Sequence, residues 1–204
     1  MRHARGAALA CALIASGTSA GTAADAPQER DWRRIATVAD RQRLRGWRSA
    51  WVDALALVRR NGEAAALAAE PALFDPDHAM IDAALPEGDY RCRTYKLGGR
   101  SQTDRAFLVQ PWVDCVVAHD EIGRTFATAG AQHAGGHLFE GSDARWIFLG
   151  ALALGDERRV MHYGRDASRD MAGVVERIAP QRWRMVLPYP GFASTLDLIE
   201  IAAR

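Results

Sequence analysis

The chain has 204 residues, of which 49% are hydrophobic and 25% are charged, so it has the composition of a globular protein with room for one domain and a helical appendage. Its formal net charge is +1, and loss of Arg2 and Arg5 with an N-terminal leader makes it 1 − 2 = −1. This balance argues against a protein that binds nucleic acids or anionic membranes, because neither would be attracted by the overall charge.

Residues 1–24 have the three parts of a signal peptide. Basic residues at positions 2–5 precede the apolar run Gly6–Ala15, and small residues follow. The apolar run is too short to span a bilayer, so no membrane span is predicted. We predict cleavage between Ala20 and Ala24 and export to the periplasm. Lipid attachment at Cys11 is disfavoured because only ten residues precede it.

Two cysteines, Cys92 and Cys115, remain after the predicted processing. An oxidising compartment favours joining them, and their disulfide closes a loop of about 24 residues, which stabilises the fold by roughly 3 kcal/mol. A catalytic thiol or a metal site would instead require a Cys-x-x-Cys motif or a partnered histidine, and the sequence points to neither. We therefore predict a disulfide.

The segment 31–86 is predicted to be helical up to Ala69 and irregular beyond it. Thr37 and Asp40 have the spacing of a capping box. Asn61-Gly62 is typical of a helix C-terminus, and a short second helix is expected over 63–69. One helical turn is expected near His78–Ala83. Apolar residues recur at spacings of three and four, which predicts one buried helix face: Leu44, Trp47, Trp51, Leu55 and Val58.

That face is predicted to pack on the chain's own sheet rather than to form a partner-binding groove. From Gly88 onward the apolar rhythm changes to alternation, which is typical of strands. Tight turns separate the runs, and no long helix intervenes. The predicted strands are residues 89–97, 107–110, 112–119, 124–128, 137–140 and 145–154 and three runs within Arg169–Ile201.

The predicted fold class is therefore α+β. The N-terminal helical segment, 31–86, packs on an antiparallel β domain, 88–204, of about eight strands. Such a meander is expected to close into a barrel or to form a strongly curved sheet.

The hairpin around Pro180-Gln181 is predicted with one side buried. Its expected cross-strand pairs are Ile178 with Trp183, Glu176 with Met185, and Val174 with Leu187.

Glu176 is the most notable carboxylate, because the alternation places it between apolar residues. A buried carboxylate must pair, protonate or reach water. Arg91 or Arg93 is the predicted partner, and these three residues form the candidate binding set. A structural ion pair is favoured over an acid or a ligand hook, since catalysis needs a cavity and a second catalytic group.

Other chemistry has little support in the sequence. His133 and His137 are separated by Ala-Gly-Gly within a strand region, and His119 and His162 lie elsewhere, so scattered surface histidines are favoured over a metal site. Neither a nucleophile elbow nor a glycine-rich phosphate loop is present. We therefore predict no catalytic residue, no cofactor and no metal.

Several short phrases follow one another along the chain, at residues 89–93, 96–98, 148–150, 154–157, 163–164, 175–178, 182–184, 187–188 and 196–200. Together they resemble an exported Gram-negative bacterial family, the domain of unknown function DUF4893. The resemblance runs from about Trp32 to Ile201, implies a periplasmic location and supplies no activity. The stretch Thr128–Phe139 departs from the family's usual run.

Taken together, these patterns predict an uncharacterised periplasmic protein that is a non-enzymatic binding or interaction module. Its expected partner is a small apolar ligand held by the barrel, or an envelope protein. The alternative is a periplasmic hydrolase with a carboxylate or histidine site on its loops. A structure with Glu176 in an open pocket beside a second titratable group would favour the hydrolase, and an interior filled by side chains would count against both the enzyme and the ligand carrier.

Overall fold

The computed structural model describes residues 31–101, 103–155, 157 and 159–204. The predicted signal peptide, 1–24, lies outside these residues. The described helices are α1 (Trp32–Ile35), α2 (Val38–Arg45), α3 (Trp47–Arg60), α4 (Ala64–Ala68) and α5 (Pro71–Phe74). The described strands are β1 (Gly88–Gly99), β2 (Phe107–Val109), β3 (Val113–His119), β4 (Arg124–Thr128), β5 (Gln132–Ser142), β6 (Arg145–Leu154), β7 (Asp170–Ala179), β8 (Arg182–Pro188) and β9 (Ser194–Ala203).

The strands form an antiparallel meander that closes on itself. Each of β3 to β8 pairs with the next strand along the chain, and β9 pairs with β1 from Tyr90 to Gly99. On its other edge, β1 pairs first with β3 and then with the short β2. Pro111, which has no N–H to donate, lies in the connection between β2 and β3. The result confirms the predicted fold: an eight-stranded antiparallel barrel with one extra strand, and helices on its N-terminal side.

Alternate side chains of the strands fill the middle of the barrel. Phe126 packs edge-to-face against Phe148, and both rings are fully buried. The predicted disulfide is also found here: Cys92 and Cys115 are bonded, with Cα atoms 5.9 Å apart. This covalent link ties β1 to β3 inside the core.

One end of the barrel is closed by the connector that precedes β1. The side chain of Leu85 is fully buried within the barrel core. The indole N–H of Trp183 donates to the carbonyl of Ala84 (3.1 Å), and the hydroxyl of Tyr90 donates to the carbonyl of Pro86 (2.7 Å). We call residues 83–86 the plug.

The helical turn predicted for His78–Ala83 is wrong. The backbone N–H groups of Asp82 and Ala83 donate to the carbonyl of Asp143, which lies between β5 and β6. Met80 N–H donates to the carbonyl of Arg177 on β7. The barrel therefore satisfies donors that a helical turn would have used, and the segment runs without helical structure.

The helices pack against the outside of the barrel. Thr37 caps α2 as predicted, its hydroxyl accepting from Asp40 N–H (3.1 Å). Trp51 and Val58 of α3 are fully buried in a cluster with Leu198 of β9, so this tryptophan-bearing face packs on the chain's own sheet as predicted.

The predicted register of the β7–β8 hairpin is wrong by one residue. The observed partners are Glu176 with Arg184, Val175 with Met185, and Val174 with Val186. A register shift between Arg177 and Ala179 adds one residue to β7. Each residue of β7 before the shift therefore pairs with the β8 residue one position earlier than predicted. Glu176 therefore lies on the outer face, while Met185 belongs to the barrel core.

Strand β5 is also longer than predicted, because it begins at Gln132 rather than at His137. The additional residues include Gly135 and Gly136, which a turn would also favour. Gly136 pairs with Gly150 of β6, and a Cβ on Gly136 would lie 2.3 Å from the Cα of Gly150. The glycines therefore allow close approach of two strands rather than a turn.

Candidate ligand-binding site at the open end of the barrel

The end opposite the plug is open. The connections after β1, β4, β6 and β8 surround it, and a cavity of about 100 Å³ lies between them. We call this space the mouth cavity. Eight-stranded barrels have interiors that side chains just fill or that hold one small ligand. In this barrel, side chains fill the half nearer the plug, and the other half contains the mouth cavity.

One wall of the mouth cavity is polar. It is formed by side chains from β1, the end of β2, β4 and the start of β5. The hydroxyl of Thr128 accepts from Ala134 N–H (2.9 Å), which fixes the turn between β4 and β5. The hydrogen-bonding residues on this wall are Thr94, Lys96, Gln110, Thr128 and Gln132.

The opposite wall is mainly apolar, and β6, β7, β8 and β9 each contribute one large side chain to it. These side chains are Leu152, Met171, Leu187 and Ile199. At the rim, Phe192 lines the cavity but leaves 44% of its surface exposed. The cavity therefore offers hydrogen bonds on one side and apolar contact on the other.

An ion pair joins the two walls where β1 meets β9. Lys96 Nζ lies 2.8 Å from Asp197 Oδ2, and the two side chains are only 17% and 8% exposed. Asp197 also accepts from the hydroxyl of Ser194. Burial raises the pKa of the Asp197 carboxyl, and the Lys96 ammonium and the Ser194 hydroxyl oppose that rise. The two side chains meet because Lys96 and Asp197 are register partners where β1 pairs with β9.

The connection between β8 and β9 holds a constrained backbone beside this ion pair. Tyr189 and Ala193 have φ angles of 49° and 57°, a region that non-glycine residues seldom occupy. The carbonyl of Pro190 accepts from Arg100 (2.9 Å). Gly191 packs so closely against Ser168 that a Cβ would lie 2.4 Å from its carbonyl oxygen. Such conformations often occur at binding sites, where the surrounding structure holds them.

The predicted candidate Glu176 lies outside the mouth cavity and is fully buried. Arg184 Nη2 and Arg145 Nε each donate to its carboxylate at 2.7 Å. Arg184 also donates to the carbonyl oxygens of Leu73 and Asp75, around the end of α5. Burial lowers the pKa of the Arg184 guanidinium, and the neighbouring Glu176 opposes this change. This cluster anchors the helical segment to the barrel.

The predicted partners of Glu176 lie elsewhere on the outer face. Arg93 pairs with Glu200 on β9 (3.0 Å), and its guanidinium also lies over the ring of Trp112. Arg91 is exposed and lies over the same indole. The expected pairing of Glu176 with Arg91 or Arg93 is therefore wrong, because Arg145 and Arg184 occupy its carboxylate.

The described residues contain no group of three or more His, Cys, Asp or Glu side chains arranged to hold a metal ion. His137 Nε2 lies 3.0 Å from a carboxylate oxygen of Asp120, and the ring of His133 is hydrogen-bonded to the carbonyl of Gly130. Neither histidine lines the mouth cavity. Among the helices of the described segments, none is long and apolar enough to cross a membrane.

Sequence reasoning did not select Lys96 and Asp197, although each carries a detectable signal. Lys96 is the chain's only lysine, and it lies two residues after Thr94 on one face of a strand. Asp197 interrupts the apolar run Leu196–Ile201. A charged residue within such a run indicates a buried partner, but alternation does not identify that partner.

Comparison with known families matches residues 32–201 to the family described as Domain of unknown function (DUF4893). Neither the curated proteins nor the solved structures include a match to this chain.

Proposed function

The chain belongs to the DUF4893 family, and from that premise we propose that it is an exported binding protein that holds a small molecule in its mouth cavity. The observation that carries this proposal is a barrel with one plugged end and one open end. Such concave sites, with apolar walls and a few convergent polar groups, are typical of small-molecule sites.

The ion pair in the cavity supports a binding role. Moving two charges out of water costs several kcal/mol, so a buried pair such as Lys96 and Asp197 contributes little net stability. Replacement of a buried ion pair by apolar residues of similar volume is often neutral or stabilising. A charged pair that faces a cavity is therefore better explained by contact with a ligand than by folding.

The disulfide supports export. Cys92 and Cys115 are bonded in the barrel core, and such bonds persist in oxidising compartments such as the periplasm. The proposal therefore places the ligand in the cell envelope. Fractionation of cells that produce the full chain, followed by mass measurement of the product, tests export and cleavage between Ala20 and Ala24.

The hydrolase alternative requires a carboxylate or histidine on the loops with a second catalytic group. Glu176 is fully buried outside the mouth cavity, and the described histidines do not line it. The two carboxylates that do line it, Asp170 and Asp197, are buried and lie on strands rather than on loops. Binding is therefore the function that this geometry supports best.

Native mass spectrometry of protein isolated from its own cell envelope tests the proposal directly. We expect an added mass that corresponds to one small molecule, because the mouth cavity has a volume of about 100 Å³. Leu152→Trp should remove this mass, because the indole fills the mouth cavity. Val116→Trp is the matched control, since Val116 is 40% exposed on β3 and does not line the cavity.

Equal retention of the added mass by both tryptophan variants would show that the ligand binds elsewhere. Absence of any added mass from the unmodified protein, with no binding of small probes, would contradict the proposed function.

A further inference from the structure

We infer that the ligand is an uncharged molecule with a hydrogen-bonding oxygen on one edge and an apolar body on the other. This inference rests on the proposed function and specifies the ligand class of the same mouth cavity. It is carried by the pairing of the cavity's charges and by the separation of its polar and apolar walls.

Among the described residues that line the mouth cavity, three of the four charged side chains are held in ion pairs. Lys96 and Asp197 neutralise each other at 2.8 Å. Arg169 Nη1 lies 2.6 Å from Glu157 Oε2, and Arg169 Nε lies 3.5 Å from Asp166. A charged ligand would therefore lose its hydration without gaining an unpaired counter-charge, which disfavours its binding.

The fourth charged residue of the lining, Asp170, is buried and hydrogen-bonded to the backbone. Its carboxylate accepts from Gly164 N–H (2.9 Å), and only 4% of the residue is exposed. Burial raises the pKa of this carboxyl, and the nearby Asp40 adds to the rise while Arg43 opposes it. A cation in the mouth cavity would thus find no carboxylate that lacks a partner among the described lining residues.

Hydrogen-bonding capacity nevertheless remains. An ammonium has three N–H donors, and among the described residues Lys96 uses one of them on Asp197. The other donors can reach an oxygen of a ligand without displacing Asp197. Thr128 accepts from Ala134 N–H, which leaves its own hydroxyl proton to donate. Both side chains lie on the polar wall.

The apolar wall defines the other edge of the ligand. Leu152, Met171, Leu187 and Ile199 lie on four consecutive strands and present a continuous surface across from the polar wall. A flat apolar body would lie against these side chains, with Phe192 at the rim. A purely apolar ligand would leave the donors of Lys96 without acceptors, and burial of unpaired donors opposes binding.

Four probes of similar shape test this inference: phenylacetamide, phenylacetate, phenethylamine and ethylbenzene. Each is titrated at pH 7 into the full chain while amide chemical shifts are recorded by NMR. We expect phenylacetamide to bind at least about tenfold more tightly than each ionic probe, because only the ions lose hydration without a counter-charge. Ethylbenzene should also bind more weakly, since it lacks an acceptor for Lys96.

The double variant Lys96→Met/Asp197→Leu provides the second arm. It removes both charges together, a change that folded proteins commonly tolerate. The preference for phenylacetamide over ethylbenzene should fall by at least about tenfold, because the donor is lost. Val116→Trp serves again as the control and should keep the preference of the unmodified chain.

Tighter binding of phenylacetate or phenethylamine than of phenylacetamide would overturn the inference and leave the proposed function standing. An unchanged preference in the double variant would also overturn it. If Leu152→Trp binds every probe as well as the unmodified chain does, the probes bind outside the mouth cavity, and the proposed function fails with the inference.

Discussion

The side chain of Glu176 is fully buried and accepts from two arginines, so its charge is part of the folded structure. Glu176→Gln removes that charge and leaves Arg184, whose side chain is also fully buried, without its counter-ion. We expect the free energy of unfolding to fall by about 3 kcal/mol, since removal of one partner leaves an uncompensated buried charge. Urea denaturation measures this change.

The matched control for that substitution is Glu140→Gln on the exposed surface of β5. It should change the free energy of unfolding by less than about 0.5 kcal/mol. A loss at Glu176 no larger than that at Glu140 would contradict the assigned anchoring role. Binding in the mouth cavity should survive both substitutions, because neither residue lines it.

Tyr163 joins the connection between β6 and β7 to α2. Its hydroxyl donates to Asp40 Oδ2 and accepts from Thr37 N–H (3.0 Å). Burial, followed by the hydrogen bond to Asp40, raises the pKa of Tyr163 to about 12 from an ordinary 10.0. The folded chain therefore holds this proton more tightly, so the stabilisation is full below pH 10 and is lost as the pH rises to about 12.

Ultraviolet titration of tyrosine ionisation tests that sign. The unmodified chain should show an ionisation near pH 12 that Tyr163→Phe lacks. The variant should also lose about 2 kcal/mol of unfolding free energy at pH 7, since its hydrogen bond to a charged group is gone. Tyr189→Phe is the control, because Tyr189 is partly exposed. Identical titrations of the unmodified chain and Tyr163→Phe would contradict the assignment.

At the scale of elements, the plug closes the barrel with one apolar side chain. Leu85→Ala leaves a void among the side chains of the barrel core, and we expect it to cost 2–5 kcal/mol in unfolding free energy, about the range for buried leucines. Ile81→Ala lies in the same connector but changes a side chain that is 79% exposed. Thermal and urea unfolding of both variants measure the difference, and equal losses would mean that Leu85 does not close the core.

The bounds of a strand were predictable where turn residues enclose an apolar run. Strand β6 is such a case and has the predicted bounds, 145–154. The face of Glu176 was not predictable, because one extra residue near Arg177 reverses the alternation and leaves no mark in composition. Pairing the two strands across a tight turn therefore predicted Met185, rather than Arg184, as the partner of Glu176.

The mouth cavity was less predictable than the strands. Lys96 and Asp197 are 101 residues apart and meet only because β9 pairs with β1. Alternation predicts which face a residue occupies, but it does not predict which strands close a barrel. The candidate residues chosen from sequence, Glu176, Arg91 and Arg93, were locally conspicuous charges, and they lie on the outer face instead.

At the scale of the whole molecule, the bond between Cys92 and Cys115 ties β1 to β3. Their separation of 23 residues gives an expected stabilisation of roughly 3 kcal/mol, because the bond restricts the unfolded chain. In a Cys11→Ala background, Cys92→Ala/Cys115→Ala should lower the free energy of unfolding by about that amount.

Dithiothreitol should destabilise the Cys11→Ala protein and leave the alanine double variant unchanged, because only the former has a bond to reduce. Urea denaturation with and without the reductant measures both effects. The folded variant should still bind in the mouth cavity, since neither cysteine lines it. Equal stability of the oxidised and reduced proteins would contradict a stabilising role of the bond and would remove the structural support for an oxidising compartment.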